Sequence, residues 1–233
     1  LNDMWRDYQE SDTKRSAFHL AVMRSSYLNE TGDWDCEAVK WEIDYDRLVP
    51  KAQAADLFTK AMAELKTKSD NFDKTLATLE AMAPMEMMDH HLMGHTEQLT
   101  CCSPNYSEEE GLSEGTKHAI HVMMMELKAL KQFEAGQQKE AIALLKMAAD
   151  MEGRMDFMFG PPIIAKPSHE LLGDLLLESG SYEDAVNAYQ TALKRNPGRT
   201  LSLKGLKMAA EKAGNEELAA EAALKLKINL LKL

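Results

Sequence analysis

The sequence contains no run of about 18 apolar residues, the length a helix needs to cross a bilayer, so no membrane span is expected. Cysteine is scarce: Cys36 and the adjacent Cys101 and Cys102 are all there is in 233 residues. Any pairing leaves one thiol over, and sequence neighbours rarely bridge, so no disulfide framework is implied and the usage leans toward a reducing compartment. Gly (12) and Pro (7) are few and fall where turns are expected, and no segment alternates apolar and polar residues as a half-buried strand does. The expectation is an all-helical chain. Basic charge is not in excess either. Residues 1–115 carry 11 Lys and Arg against 23 Asp and Glu, whereas 116–233 carry 16 against 15, within a net charge of −11. With no basic stripe to replace phosphate counterions, nucleic acid is not an expected partner; the acidic first half would instead attract basic protein segments, although solvated surface charge is the commoner meaning of such a bias. Nucleophile elbows, phosphate-cradling glycine loops, triads and paired catalytic carboxylates are all missing, so the residues make no positive case for an enzyme or a cofactor.

What is present is a helical-hairpin pattern. With Lys166 as the first of 34 positions, Leu172 and Gly173 hold positions seven and eight, Tyr182 holds 17, Ala185 holds 20, Tyr189 holds 24, Ala192 holds 27 and Pro197 holds 32. Small residues at Gly173 and Ala185 allow two helices to approach closely, and Tyr189 fills the gap to the next unit. Gly180 suits the left-handed turn between the helices, and Pro197 closes the second one. On these residues the segment resembles a tetratricopeptide repeat.

A unit of this kind needs stacked neighbours to bury its apolar face. A frame from Thr200 places Leu203 and Leu206 in a first helix, Gly214 at the turn and Ala219 at the close contact, and it ends at Leu233. A frame from Val122 places Gly136 at the turn, with Ala141, Leu145 and Ala148 in the second helix. Two divergent copies precede these. One turns at Thr31–Trp34 and the other at Ser69–Phe72, with Glu37 and Thr75 where the small residue should be. The expected organisation is one α-solenoid of antiparallel hairpins over 1–233, forming a right-handed superhelix: hairpins at 16–49, 51–84, 116–155, 166–199 and 200–233, and a loop or insertion at 85–115. Between 156 and 165, Phe157, Phe159, Pro161 and Pro162 suggest an ordered apolar bridge. Thr116 and Ser168 are expected to cap their helices. The section Gly-Pro-Pro, Glu-Leu-Leu-Gly-Asp and Asn-Pro is similar to that of longer bacterial repeat proteins. The chain opens on Leu1-Asn2-Asp3-Met4-Trp5 without an initiator Met or a signal peptide, and so reads as a piece of such a protein. The helix around Trp5 and Tyr8 would be the tail of a hairpin whose partner lies upstream. The compartment, cytoplasmic or periplasmic, stays open.

Metal-ligating residue types crowd together only between Met85 and Cys102, at Asp89, His90, His91, His95, Glu97, Cys101 and Cys102. On a helix, His91 and His95 would share a face at a spacing able to chelate a divalent ion, and His118 and His121 could complete such a site. Leu92 stands where a His-Glu-x-x-His site needs its Glu, and no Cys-x-x-Cys pair occurs. The preferred reading is therefore a polar helix end and loop with no metal, His118 and His121 lining a surface and Met123, Met124 and Met125 lying in a helix interior. The acidic Ser107–Glu110 run reads as a solvated linker.

The tetratricopeptide resemblance implies a concave face lined by positions two, five, nine and twelve of each first helix. Carried over, these are Met123, Glu126, Leu130 and Phe133; Pro167, Glu170, Asp174 and Leu177; and Leu201, Lys204, Met208 and Glu211. Members that hold a C-terminal carboxylate use a basic clamp, whereas Glu170 and Asp174 occupy those positions here and would repel it. The expected activity is that of a non-catalytic scaffold taking a protein or peptide segment that is apolar and flanked by Lys or Arg. The alternative is the C-terminal part of a metal-dependent or enzymatic protein with ligands in the His90–Cys102 segment, and a third reading is a structural spacer. In the last helix Leu224, Leu226, Ile228, Leu230 and Leu231 exceed what one packed face needs, which points to a homodimer contact, with Lys225, Lys227 and Lys232 keeping the end solvated.

Overall fold

A computed structural model of the chain describes residues 1–84, 112–156 and 162–230. Among these there is no strand, and ten α-helices follow one another: α1 (Asn2–Glu10), α2 (Lys14–Thr31), α3 (Pro50–Lys66), α4 (Phe72–Met82), α5 (Glu114–Glu134), α6 (Gln138–Arg154), α7 (Ser168–Glu178), α8 (Tyr182–Arg195), α9 (Thr200–Lys212) and α10 (Glu216–Leu230). Every helix packs on the next in sequence. From α3 onward the odd-numbered helices also touch the next odd one, α3 on α5, α5 on α7 and α7 on α9. None of the ten is long and apolar enough to cross a membrane.

The pairs α7/α8 and α9/α10 lie over the frames at 166–199 and 200–233, while α3/α4 and α5/α6 begin before the frames at 51–84 and 116–155, at Pro50 and Glu114. The frame at 16–49 does not produce a pair. After α2, Gly32 stops the helix in the left-handed region at φ 66°. The chain then runs extended, with two short 3₁₀ turns at Glu37–Lys40 and Tyr45–Arg47 in place of a second helix. The reason lies in Arg24, buried on α2. Its guanidinium donates to the Trp41 carbonyl and pairs with Asp56 of α3, whose other carboxyl oxygen accepts from the Tyr45 hydroxyl at 3.2 Å. A buried cation needs a fixed acceptor, and it draws residues 38–45 into a strap that helical geometry could not supply.

That strap also gives α1 a partner inside this chain. Trp5 stacks on Trp41 at 4.8 Å, the Tyr8 hydroxyl accepts from the Asp44 amide at 2.9 Å, and the Arg47 guanidinium lies 4.2 Å from the Tyr8 ring centre. Tyr8, with Ala17, Leu20, Ile43 and Leu48, belongs to a small N-terminal apolar cluster against which Trp5 and Trp41 pack, while the main one runs from α3 to α10; Tyr45 packs against both.

Two helix starts differ from expectation. Ser113, not Thr116, caps α5, its hydroxyl accepting from the Thr116 amide at 3.2 Å. Pro167, not Ser168, stands at the cap of α7, which frees the Ser168 hydroxyl for another task. In the 156–165 bridge, Ile164 and Ala165 are buried and Pro162 is exposed, while Phe157, Phe159 and Pro161 lie outside the described residues. In α10 Leu224 and Ile228 are exposed and Leu226 is half-buried, while Leu231 and Lys232 lie outside the described residues.

Tyr189 on α8 sets the closest approach. Its ring lies between two glycines on different helices, such that a Cβ on Gly173 of α7 would come within 2.7 Å of the ring and one on Gly205 of α9 within 2.2 Å. The ring is buried, and its hydroxyl donates to Asp174 at 2.7 Å. Burial, then the Asp174 carboxylate, push the phenol well above its ordinary value, so it stays protonated as a donor. A Gly205→Ala chain should lose about 1–3 kcal/mol through overpacking. In urea unfolding its midpoint should fall, and in a Tyr189→Ala background the same substitution should cost far less.

Candidate functional site

The densest polar constellation lies where α7 and α9 begin, over the inner side of α5. Ser168 is the first residue of α7. Its hydroxyl donates to Glu126 of α5 at 2.6 Å and its amide to Glu152 of α6 at 2.7 Å. One unit on, Ser202 of α9 donates to Glu170 of α7 at 2.5 Å. Ser168 and Ser202 are 34 residues apart, and Glu126 and Glu170 share the fifth position of their frames, so one Ser-to-Glu contact recurs between successive odd helices. Both carboxylates are 0% exposed.

Their neighbours push the two carboxyls in opposite directions. Around Glu170, burial opposes ionisation, but the Arg199 guanidinium overcomes it. Its Nε lies 2.7 Å from Oε2 and its Nη2 3.0 Å from Oε1, with Lys166 at 3.1 Å; the carboxyl is held below its ordinary value. Lys166 also pairs with Asp174 at 2.7 Å, and although burial disfavours its charge the two carboxylates raise its value. Around Glu126 no such cation is in contact. Burial and the nearby Glu152 carboxylate push its carboxyl well above the ordinary 4.5, against smaller opposing effects of Ser168 and Lys166, and its Oε2 has no hydrogen-bond partner among the described residues. Arg199, at the N-cap of α9 where a cation opposes the helix dipole, is compensated by Glu170 and by Glu30 of α2, whose carboxylate is 2.5 Å away. The end of α2 is thereby brought to the start of α9.

The residues predicted to line a groove are divided by this packing. Met123, Glu126, Leu130, Phe133, Pro167 and Glu170 are buried; Asp174, Leu177 and Leu201 are half-buried; and Lys204, Met208 and Glu211 are exposed. Burial of the α5 members follows from its central position, with α3, α4, α6 and α7 all packed on it. Glu170 and Asp174, expected to present negative charge in clamp positions, instead spend it on Arg199 and Lys166. Met123 and Met124 are buried and Met125 half-buried, as a helix interior requires.

His90, His91, His95, Cys101 and Cys102 lie outside the described residues. Among those described, no group of three or more His, Cys, Asp or Glu residues could hold a metal ion. His118 is exposed. His121 is buried rather than lining a surface, and its Nε2 is 3.0 Å from the Ala83 carbonyl. Cys36 is half-buried with a free thiol.

Sequence reasoning missed Lys166, Arg199, Ser202, Glu152 and Glu30. The i, i+4 spacing of Lys166 and Glu170 could have signalled their pair, and the 34-residue interval between Ser168 and Ser202 could have signalled the repeated contact; nothing local points from Glu30 to Arg199. Compared with protein-family models, curated proteins and solved structures, the chain matches none.

Two outcomes are expected from perturbing this network. Arg199→Ala removes the two-pronged partner of buried Glu170, leaving it Lys166 and Ser202, and should cost about 3 kcal/mol, read from the denaturation midpoint. Glu126→Gln should act in the opposite sense at neutral pH. A carboxyl whose folded value is raised contributes its full stability below its ordinary 4.5 and loses it as pH rises toward the folded value. The gain of the Gln chain over the native one should therefore be absent below that pH and grow toward neutrality. Denaturation measured from acid to neutral pH checks this; a gain independent of pH contradicts it.

Proposed function

We propose that the chain is a non-catalytic protein-interaction module, built as a tetratricopeptide-like array of helical hairpins, and that it takes an apolar protein segment on the open side of α9. The carrying observation is Met208, an apolar side chain 52% exposed on α9 between Lys204 and Glu211, all three at positions where the resemblance places ligand contacts. Leu201 of α9 and Leu177 of α7 are half-buried. A flexible thioether adapts to varied apolar partners, and an isolated exposed Met flanked by charges suits an anchor better than a core residue displaced outward.

Support for the array comes from the recurrent Ser-to-Glu contact, the next-but-one packing of odd helices, and the Tyr189 ring held between Gly173 and Gly205. Since Glu170 and Asp174 are matched by Lys166 and Arg199, charge at the clamp positions contributes little to selectivity. Preference for Lys or Arg flanks then comes from the acidic first half of the chain, through longer-range attraction that added salt weakens.

An array of immobilised peptides, apolar segments with Lys or Arg flanks set beside the same segments with acidic tails, tests this reading. The basic-flanked set should retain the protein, and Met208→Asp should weaken binding about tenfold or more, as expected for a central apolar anchor. Retention by acidic tails, or binding indifferent to Met208→Asp, would overturn the proposal.

A further inference from the structure

A groove runs between α8 and α10. Residues 183–187 of α8 face 213–217, at the turn into α10, around a space of about 600 Å³, and 190–194 face 218–225 around a further 380 Å³. The pairing advances in the same sense on both helices, so α8 and α10 run parallel and the two spaces lie end to end, spanning about 15 Å at the helical rise. One half has an apolar floor. Leu206 of α9 and Ala222 of α10 are buried beneath it, and Leu193 and Leu218 are half-buried on its walls. Charge is ordered along the length, with Glu183, Glu216 and Glu217 where the two helices begin and Lys194 and Lys225 toward the other end. Lys225 holds Glu221 of its own helix at 2.6 Å, whereas the other four make no ion pair among the described residues.

We propose that this groove is a second docking surface, which takes an amphipathic helix of a partner protein running antiparallel to α8 and α10. Both walls are helices whose backbone groups are already paired, so an extended segment would find no ladder to join, whereas a helix satisfies its own backbone. An antiparallel helix sets its first turn over Lys194 and Lys225 and its last over Glu183, Glu216 and Glu217. Acidic residues in a first turn and basic ones in a last turn are what a helix dipole favours, so the order the groove selects is also the order that stabilises the visitor. A parallel helix would need the reverse, against its own dipole. About ten residues fill the length, with apolar side chains on one face meeting Leu193, Leu206 and Leu218. The inference does not depend on the ligand assigned to Met208, which stands two residues from Leu206 and so about 200° around α9, on its opposite side.

A lactam-bridged helical peptide of about 14 residues, with Leu on one face, Glu in its first turn and Lys in its last, is the probe; the same peptide with Glu and Lys exchanged is its control. By fluorescence anisotropy the native chain should bind the probe at least about tenfold more tightly than the control. Glu183→Lys combined with Glu217→Lys, both at exposed positions, should weaken the probe by roughly tenfold and improve the control. Leu218→Ala should weaken the probe by about fivefold, and the glutamate exchange reads the groove even if Leu218→Ala disturbs folding. A photoreactive group in the first turn of the probe should cross-link within 190–194 or 221–225, and Met208→Asp should leave binding unchanged. Loss of binding on Met208→Asp with indifference to the glutamate exchange would place the peptide on α9, overturning this inference while leaving the reading of that surface intact. A probe that does not bind, equal binding of probe and control, or a first turn cross-linked beside Glu216 would also overturn it.

Discussion

Two carboxylates without access to water, Glu126 and Glu170, decide how α5, α7 and α9 sit against one another. A buried carboxyl must find donors or surrender its charge, and here each finds a serine at the start of the next odd helix. Glu170 adds Arg199 and Lys166 and remains an anion, whereas Glu126 gains no contacting cation and is pushed toward the neutral acid. The same residue type in the same frame position is thus shifted in opposite directions by its neighbours. Because the contact recurs, a shift of α7 along α5 would break Ser168–Glu126 and displace Glu170 from Ser202 together. Register between successive odd helices is therefore specified by polar contacts, while the apolar cluster between them supplies most of the attraction.

Tyr189 complements this arrangement from the second layer. A glycine on α7 and another on α9 leave a slot into which the ring fits, and the hydroxyl reaches Asp174, itself tied to Lys166. The ring and the ion-pair network thus meet at one carboxylate, so packing and electrostatics at the α7–α9 boundary form a single unit. Changes to either should show strong coupling, because they share neighbours.

Much of the second half was legible in the sequence because its constraints are local. Gly136, Gly180 and Gly214 mark turns, Ala141, Ala185 and Ala192 mark close contacts, and Tyr189 marks the gap to the next unit; each acts within one 34-residue frame. The first half was less legible because its decisive residue acts at a distance. Arg24 reads as an ordinary mid-helix cation, and nothing nearby announces that Trp41 and Asp56 will satisfy it and hold residues 38–45 out of a helix. Of the candidate surface, the exposure of Lys204, Met208 and Glu211 on α9 was expected from the frame. The burial of Glu126 and Glu170 was not, since each is met by a serine of the next odd helix, a contact between frames that a single frame does not encode.

The meeting of Glu30 with Arg199 bears on the order in which the chain assembles. Nearly every other contact joins helices adjacent or next-but-one in sequence, and such contacts close short loops at small entropic cost. The Glu30–Arg199 contact instead joins distant parts of the chain, and its half-exposed ion pair returns little to offset that closure. It can form at little cost only after the intervening helices have stacked and fixed the distance between its ends. It acts as a fastener on a finished body, resisting the opening of α2 away from α9 without guiding the earlier steps that bring them near.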